Sequence, residues 1–364
     1  MIEFALVAFG TAAVASAVLT PVARWAARTA GLVAEVRPDR LHTRPVPCGG
    51  GFAVADTLTL VVGGAWLLGL YGPADWLPGW LPAQVRAHLD ARTPVLLRLA
   101  FGGLVFFIIG LLDDRYDLPA LPKFALQAVG AALVVVGFGL SATVWTEQAW
   151  AGQGLSILWL LAVVNAYNMF DHADGMAAAV GMVAFASLAA GQMLMGEWFV
   201  PGVALAAAGA LAGFLIYNFP PASLFLGDAG SHLVGYLFGA LAMVARYYFP
   251  EQGTTRWVVL VPVLIFAVPL LDMVLVFGAR AIRARNPFVG DATNHLAHRM
   301  LARGARPWMP VLAAAGLSVA AGAVVAAIYG WSLRADMVIG VAILVLYHVM
   351  VRLRRKPERE EGDA

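Results

Sequence analysis

The sequence predicts an all-α, polytopic membrane protein of about eleven transmembrane helices, and three observations carry that prediction. Of the 364 residues, 61% are hydrophobic and only 13% charged, with a mean hydropathy of +0.79; soluble domains are roughly half apolar and a quarter charged. Eleven segments approach the roughly 20 apolar residues that a bilayer-crossing helix needs. The cations are distributed one-sidedly, since eighteen of the 24 Lys and Arg fall in alternate connections. By the positive-inside rule that side is cytoplasmic, so the N-terminus lies outside and the C-terminus inside. Helices packed in lipid behave as one unit, so chain length is no guide to domain number. Residues 1–352 are expected as a single transmembrane domain and 353–364 as a charged cytoplasmic tail.

Each segment has its own justification. Residues 2–25 are apolar but lack an early basic region and a clear cleavage site, so they read as a retained helix rather than a signal peptide. The connection RPDRLHTRPVPCGGG, residues 37–51, is forced by its prolines and glycines into an irregular loop. There Arg40, His42 and Arg44 face a phosphate or serve only as topogenic charge. Spans 50–72, 94–112 and 123–141 follow, the last two joined by LLDDRYDLPALPK. Span 154–170 is short, ends in NAYNMFDHADGM, and is followed closely by 175–195. Span 198–219 precedes FLGDAGSHLVGY, which opens 230–249. Span 257–280 contains Asp272, which has no obvious partner in sequence and either pairs with an interior basic group or stays protonated. The stretch RAIRARNPFVGDATNHLAHRMLARGAR is too polar to span, and 309–329 and 336–352 complete the set. Ala and Gly pervade these segments and let helices approach closely. The lone Cys48 permits neither an internal disulfide nor a cysteine-based metal site.

The chemistry gathers at span ends. In LLDDRYD, Asp113 and Asp114 are adjacent and repel each other unless a cation is near; Asp113 and Asp117 share a face if the helix continues. In NAYNMFDHADGM, Asn165, Asn168, Asp171 and Asp174 follow at steps of three, each turning back about 60° on a helix of 3.6 residues per turn. Asn168 and Asp171 are then neighbours, while Asn165 and Asp174 point opposite ways, so one ion does not collect all four. Asn165 has the alternative of an interhelical hydrogen bond. FLGDAGS reads as a helix start whose N–H groups offer an anion site, with Asp228 as a cation ligand or simply an N-cap. Ser231 lacks an identifiable base beside it, and His232 faces elsewhere on a helix. His295 and His298 share a face, but two histidines without a third ligand are a weak zinc signal. Their neighbouring arginines suit phosphate and sugar hydroxyls or anchor anionic headgroups. All three acidic motifs fall on the side that the basic residues mark as cytoplasmic, although the charge count did not use them. Hard oxygen ligands beside cations at one membrane face point to a Mg²⁺–phosphate site.

These motifs, taken in order from RPDRLHTRPVPCGGG through GLLDDRYDLPALPK, NAYNMFDHADGM and FLGDAGS to NHLAHR, resemble the polyprenyl-phosphate N-acetylhexosamine-1-phosphate transferases. That superfamily includes initiators of peptidoglycan precursors (MraY-type) and of O-antigen, enterobacterial common antigen or teichoic acid chains (WecA/TagO-type). The resemblance covers most of the chain. It implies a Mg²⁺-dependent enzyme, with Mn²⁺ as a substitute ion, in the bacterial plasma membrane with its active site facing the cytoplasm. The implied reaction moves a sugar-1-phosphate, GlcNAc-1-phosphate foremost, from a UDP-sugar to polyprenyl phosphate and releases UMP. By position, Asn168 and Asp228 match metal ligands; Asp113 and Asp114 match the pair that handles the lipid phosphate, making Asp113, Asp114 and Asp228 the catalytic set. Asp174 matches the uridine position, and Asp171 and Asn165 belong to the same polar pocket. His295, His298 and Arg299 match the loop that reads sugar and pyrophosphate, supported by Arg44 and Lys123. Two departures stand out: the usual DGxDG core reads DHADG, with His172 replacing a glycine, and HLAHR lacks an adjacent histidine pair. Both bear on sugar identity more than on reaction type.

The expected partners are the two substrates and membrane lipid, not nucleic acid. Related membrane enzymes are often dimeric, which leaves a homodimer open. The alternative within the family is phospho-MurNAc-pentapeptide transfer; eleven spans and a basic cytoplasmic C-terminus favour the WecA-like branch. An alternative of another class is a secondary transporter, which would set its carboxylates near the midplane between repeated halves. A non-catalytic lipid-binding scaffold is a third, disfavoured by the number of costly carboxylates.

Overall fold

The computed structural model describes residues 1–35, 44–73, 76, 79, 83–142, 148–248, 256–282, 295–330 and 335–354. Arg37, Arg40, His42, Arg334, residues 283–294 of the polar stretch and the tail beyond Arg354 lie outside these described residues. The chain is an all-α polytopic membrane protein, and each of the eleven expected segments contains helix.

Helix α1 (Ile2–Thr29) is followed by α2 (Gly50–Leu58) and α3 (Gly64–Tyr71), two parts of one span joined by a π-helical turn at Thr59–Gly63. Next come α4 (Ala83–Tyr116), α5 (Ala120–Ala132), α6 (Ala149–Phe170), α7 (Met176–Leu194), α8 (Phe199–Asn218) and α9 (Gly227–Val244). The last are α10 (Val261–Ile265), α11 (Ala267–Ile282), the short α12 (Leu296–Leu301), α13 (Trp308–Gly330) and α14 (Ala335–Arg354).

Among the described residues, nine helices are long and apolar enough to cross a membrane, or ten if the bent pair at α10–α11 is one span. The bend of 74° falls at residue 266, where Pro269 supplies no N–H and its ring crowds the carbonyl four residues back. α9, the eighth expected span, is not among the nine. It carries Asp228 and His232 in its first turns and buries almost its whole surface inside the bundle, so protein rather than lipid surrounds it.

The packing centres on α8 and α9. α8 lies along α1, close enough that a Cβ on Gly213 would stand 2.2 Å from the Ala13 carbonyl oxygen; Ser16 adds a hydrogen bond from its hydroxyl to Ala210 O at 2.6 Å. Small residues at such a contact permit backbone approach that a larger side chain prevents. α9 packs between α4 and α6, and α7 between α8 and α13. A two-residue antiparallel pair, β1 (Val33–Ala34) with β2 (Val46–Pro47), folds the connection after α1 back toward α9. Gly50 N–H then donates to Phe225 O at 2.9 Å and Gly51 N–H to Leu226 O at 2.8 Å. The ends of α4 and α6 and the starts of α5 and α9 thereby meet at one end of the bundle, bringing the three acidic motifs together.

Candidate active site

Lys123, in the first turn of α5, organises the centre of that end. Its ammonium pairs with Asp113 Oδ2, bonds Asn168 Oδ1 at 2.9 Å and lies 3.8 Å from Asp228 Oδ1. Asn168 donates from Nδ2 to Asp228 Oδ1 and to Ser231 Oγ at 2.8 Å. Residues from α4, α5, α6 and α9 thus aim three hard oxygens at one cationic position. Asp113, 6% exposed, also accepts the Leu118 N–H on Oδ1 at 2.9 Å. Asp117 does not share its face: α4 stops at Tyr116, and Asp117 turns into the left-handed region at φ 50°, ahead of Pro119.

The N–H groups at the start of α9 are indeed an anion site, but the anion is Asp114. Its two oxygens accept from Asp228 N–H at 2.8 Å and Ala229 N–H at 2.9 Å. A carboxylate there opposes the positive end of the helix dipole and satisfies two otherwise unpaired donors. The anion site expected at this helix start is therefore filled by a side chain of the same protein. Asp113 and Asp114, adjacent in sequence, have different jobs: one faces the lysine, the other fixes the backbone that carries Asp228.

The α6–α7 connection forms the next wall. Asp171 ends α6, and burial, then the Asp228, Asp114 and Asp174 carboxylates, hold its carboxyl well above the usual carboxylate range. Asp174 lies in the loop beyond the end of α6, so the helical rotation expected from the sequence does not reach it; its Oδ2 accepts the Ala222 N–H at 2.8 Å. Arg44 approaches the same segment, reaching Ala222 O at 3.5 Å. Gly175, at φ 74°, takes the left-handed position of this loop and donates its N–H to Asn218 Oδ1 at 3.0 Å. His172 has no positive φ, so the glycine it replaces is not needed for backbone freedom.

Asp272, partnerless in the sequence, finds its partners at the start of α12 and the end of α14. Oδ2 lies 2.6 Å from His295 Nδ1, Oδ1 accepts the Leu296 N–H at 3.0 Å, and Arg354 stands 3.9 Å from Oδ1. His295, 5% exposed, stacks on His172 with ring centroids 4.3 Å apart, and the His298 ring lies 5.4 Å from His172. Burial, and His295 beside it, push His172 down to about 3, so it is neutral. Of the three substrate-loop candidates, His298 and Arg299 are partly exposed, whereas His295 is committed to the interior.

Asn165 sits deeper. Its amide donates to Gln127 Oε1 at 2.7 Å and Leu161 O at 2.8 Å, and Gln127 Nε2 meets His232 Nε2 at 2.8 Å. His232 Nδ1 in turn lies 2.7 Å from Asp228 O, so a buried amide–imidazole chain braces α5, α6 and α9 beneath the lysine. The sequence reading missed Gln127 and Asn218. Gln127 carried a signal, since it lies four residues after Lys123 and hence on the same helix face; Asn218 carried only its polarity at the end of an apolar span.

Fold and site together define a class: a polytopic helical membrane protein that gathers carboxylates, an amide and an ammonium at one end of its bundle. The model of glycosyl transferase family 4 matches residues 96–246. The decaprenyl-phosphate N-acetylglucosaminephosphotransferase of Mycolicibacterium smegmatis is 31% identical, over 98% of this chain and 90% of its own length. A probable undecaprenyl-phosphate N-acetylglucosaminyl 1-phosphate transferase of Bacillus subtilis is 27% identical, over 84% of this chain and 80% of its own. The phospho-N-acetylmuramoyl-pentapeptide-transferase of a Synechococcus strain is 34% identical, over 46% of this chain and 52% of its own. The chain belongs to the polyprenyl-phosphate hexosamine-1-phosphate transferase family.

Proposed function

We propose that the protein transfers GlcNAc-1-phosphate from UDP-GlcNAc to polyprenyl phosphate. A lipid phosphate oxygen bonds to the sugar-bearing phosphorus, the diphosphate bridge of the nucleotide breaks, and UMP leaves with the bridging electrons. The observation that carries this reading is the convergence of Asp113, Asn168 and Asp228 oxygens on the Lys123 ammonium. A set of hard oxygens already gathered around a cation suits Mg²⁺, which Asp228 and Asn168 would hold. When bound, the ion supplies charge neutralisation to two anionic reactants.

The remaining steps belong to the chain's own residues. A phosphate monoester has its second pKa near 6, so the acceptor is largely dianionic at neutral pH and needs little general-base help. Asp113 orients it, or removes a residual proton, and Lys123 offsets the repulsion between acceptor and donor. Asp114 keeps Asp228 in place through the α9 backbone. Asp174 reads the uridine within the pocket that Asp171 lines, Arg44 supports the phosphates, and His298 and Arg299 reach the sugar and pyrophosphate. Direct attack is favoured over a covalent aspartyl route, since positioning supplies most of the rate.

The membrane arrangement belongs to the same proposal: residues 1–352 form one transferase domain of eleven spans, N-terminus outside, with the site facing the cytoplasm of a bacterial plasma membrane. The one-sided placement of eighteen of 24 cations supports it. The product starts a cell-envelope polysaccharide. A second reading, phospho-MurNAc-pentapeptide transfer, is favoured only by the partial match to the Synechococcus relative.

The test is a parallel assay of the purified protein with labelled UDP-GlcNAc, UDP-GalNAc and UDP-MurNAc-pentapeptide, polyprenyl phosphate and Mg²⁺. Chloroform-extractable label from UDP-GlcNAc with equimolar UMP is expected. Label from UDP-MurNAc-pentapeptide alone selects the second reading, and no UMP from any donor overturns both.

A further inference from the structure

We propose that His172, His295 and Asp272 form a binding site for one divalent transition-metal ion of the Zn²⁺ class. It is distinct from the carboxylate–lysine cluster and fastens α12 to the α6–α7 connection. The sequence offered His295 and His298 as a pair without a third ligand; the fold supplies donors from two other segments. One donor atom from each of His172, Asp272 and His295 lies within 4.8 Å of the others.

The hydrogen bonds around the rings leave the right atoms available. His172 Nδ1 faces the Met169 carbonyl at 3.1 Å, so the proton sits on Nδ1 and the lone pair on Nε2. That Nε2 is buried and has no hydrogen-bond partner among the described residues, a costly condition for a polar atom unless a ligand meets it. Ligating histidines characteristically donate their other ring N–H to a carbonyl or carboxylate, as His172 does here. Asp272 has one oxygen to give. Oδ1 takes the Leu296 N–H and faces Arg354, whereas Oδ2, among the described residues, is held by His295 Nδ1 alone.

Metal entry exchanges that hydrogen bond for coordination. His295 gives its Nδ1 proton to solvent and takes one up on Nε2, so the ring stays neutral, and Nδ1 would turn with Asp272 Oδ2 and His172 Nε2 onto the ion, with water completing the shell. Donors around tetrahedral Zn²⁺ stand about 3.3 Å apart. The Asp272–His295 pair must therefore open slightly and His172 close in, movements within the reach of side-chain rotation. Two imidazoles and one carboxylate select Zn²⁺, Co²⁺ or Ni²⁺ over Mg²⁺, which prefers oxygen donors alone. The site is thus chemically distinguishable from the one proposed for catalysis, and it does not depend on which sugar is transferred.

The test uses the full chain in detergent, stripped with a chelator and returned to buffer containing excess Mg²⁺. Titration with Co²⁺ should give one equivalent of visible d–d absorption, displaced by Zn²⁺, and Zn²⁺ should raise the melting temperature. His172→Gly should weaken Co²⁺ binding by more than the roughly 10–100-fold that loss of an outer-sphere partner costs. His172→Cys should retain binding and add thiolate-to-cobalt charge-transfer absorption, which also serves if the glycine variant fails to fold. No stoichiometric Co²⁺ binding by the wild type, or a spectrum unchanged in the cysteine variant, overturns the proposal.

Discussion

Asp114→Asn isolates the claim that one carboxylate of the acidic pair works through the α9 backbone. The wild-type side chain receives two N–H donors, from Asp228 at 2.8 Å and Ala229 at 2.9 Å. Asparagine preserves the shape but offers one oxygen, so its amide N–H groups confront the second donor. A hydrogen bond to a charged group contributes about 1.5–3 kcal/mol, and a buried donor left unpaired costs about 1–3 kcal/mol. A net loss of about 3 kcal/mol follows, and at about 1.4 kcal/mol per tenfold its full transmission to the transition state lowers kcat roughly 100-fold. Because the bond also caps a buried helix, the melting temperature must fall with it. The assay is UMP release at saturating substrates and Mg²⁺, with thermal unfolding of the same preparation. Near-normal turnover at unchanged stability would refute the capping role. A loss of turnover with full stability would return Asp114 to direct contact with substrate.

The remaining predictions concern the same end of the bundle. Asp228→Ala and Asn168→Ala should each reduce transfer by about 10²–10³-fold while size-exclusion behaviour stays that of the folded protein; substantial turnover in either purified variant removes it from the metal assignment. Gly110→Ala would put a Cβ 2.2 Å from Asp228 O and 2.5 Å from its carbonyl carbon. Since both are backbone atoms, α4 and α9 must separate, and stability and turnover should fall together. Gly154→Ala, where no described residue lies within 4 Å, is the silent control, and equal behaviour of the two would contradict the packing. Asp171→Asn should raise the melting temperature, because burial and three neighbouring carboxylates favour the protonated form. With the folded pKa raised, the wild type carries no penalty below the ordinary value of about 4 and loses stability as pH climbs toward the raised one. The gain in the variant should grow over that window, and a pH-independent difference between the proteins would count against it.

The helices were legible because a bilayer demands long apolar runs, and each of the eleven segments contains helix. Hydropathy was less informative for α9, whose burial against other helices frees it to carry Asp228 and His232. Helical rotation did not place Asp174, which lies in the loop beyond the end of α6, but the cation cluster was legible as residue types at span ends. Its wiring was not. Asp113 and Asp114 are equivalent in sequence, and only the approach of α5 gives one a lysine and that of α9 gives the other two backbone donors. Asp272 and His295 are 23 residues apart across a polar stretch, with no periodicity to link them. His172 looked like a substitution for a flexible glycine, whereas the left-handed residue of that loop is Gly175 and the imidazole instead packs against His295.

The central claim, that Asn168 and Asp228 hold a divalent cation beside Lys123, is tested most directly by Mn²⁺ titration followed by electron paramagnetic resonance. The wild type, with Zn²⁺ present to fill any nitrogen-rich site, should immobilise one Mn²⁺ that Mg²⁺ displaces. Asp228→Ala and Asn168→Ala should leave the ion free in solution. Retention of the same bound signal in both variants would contradict the assignment.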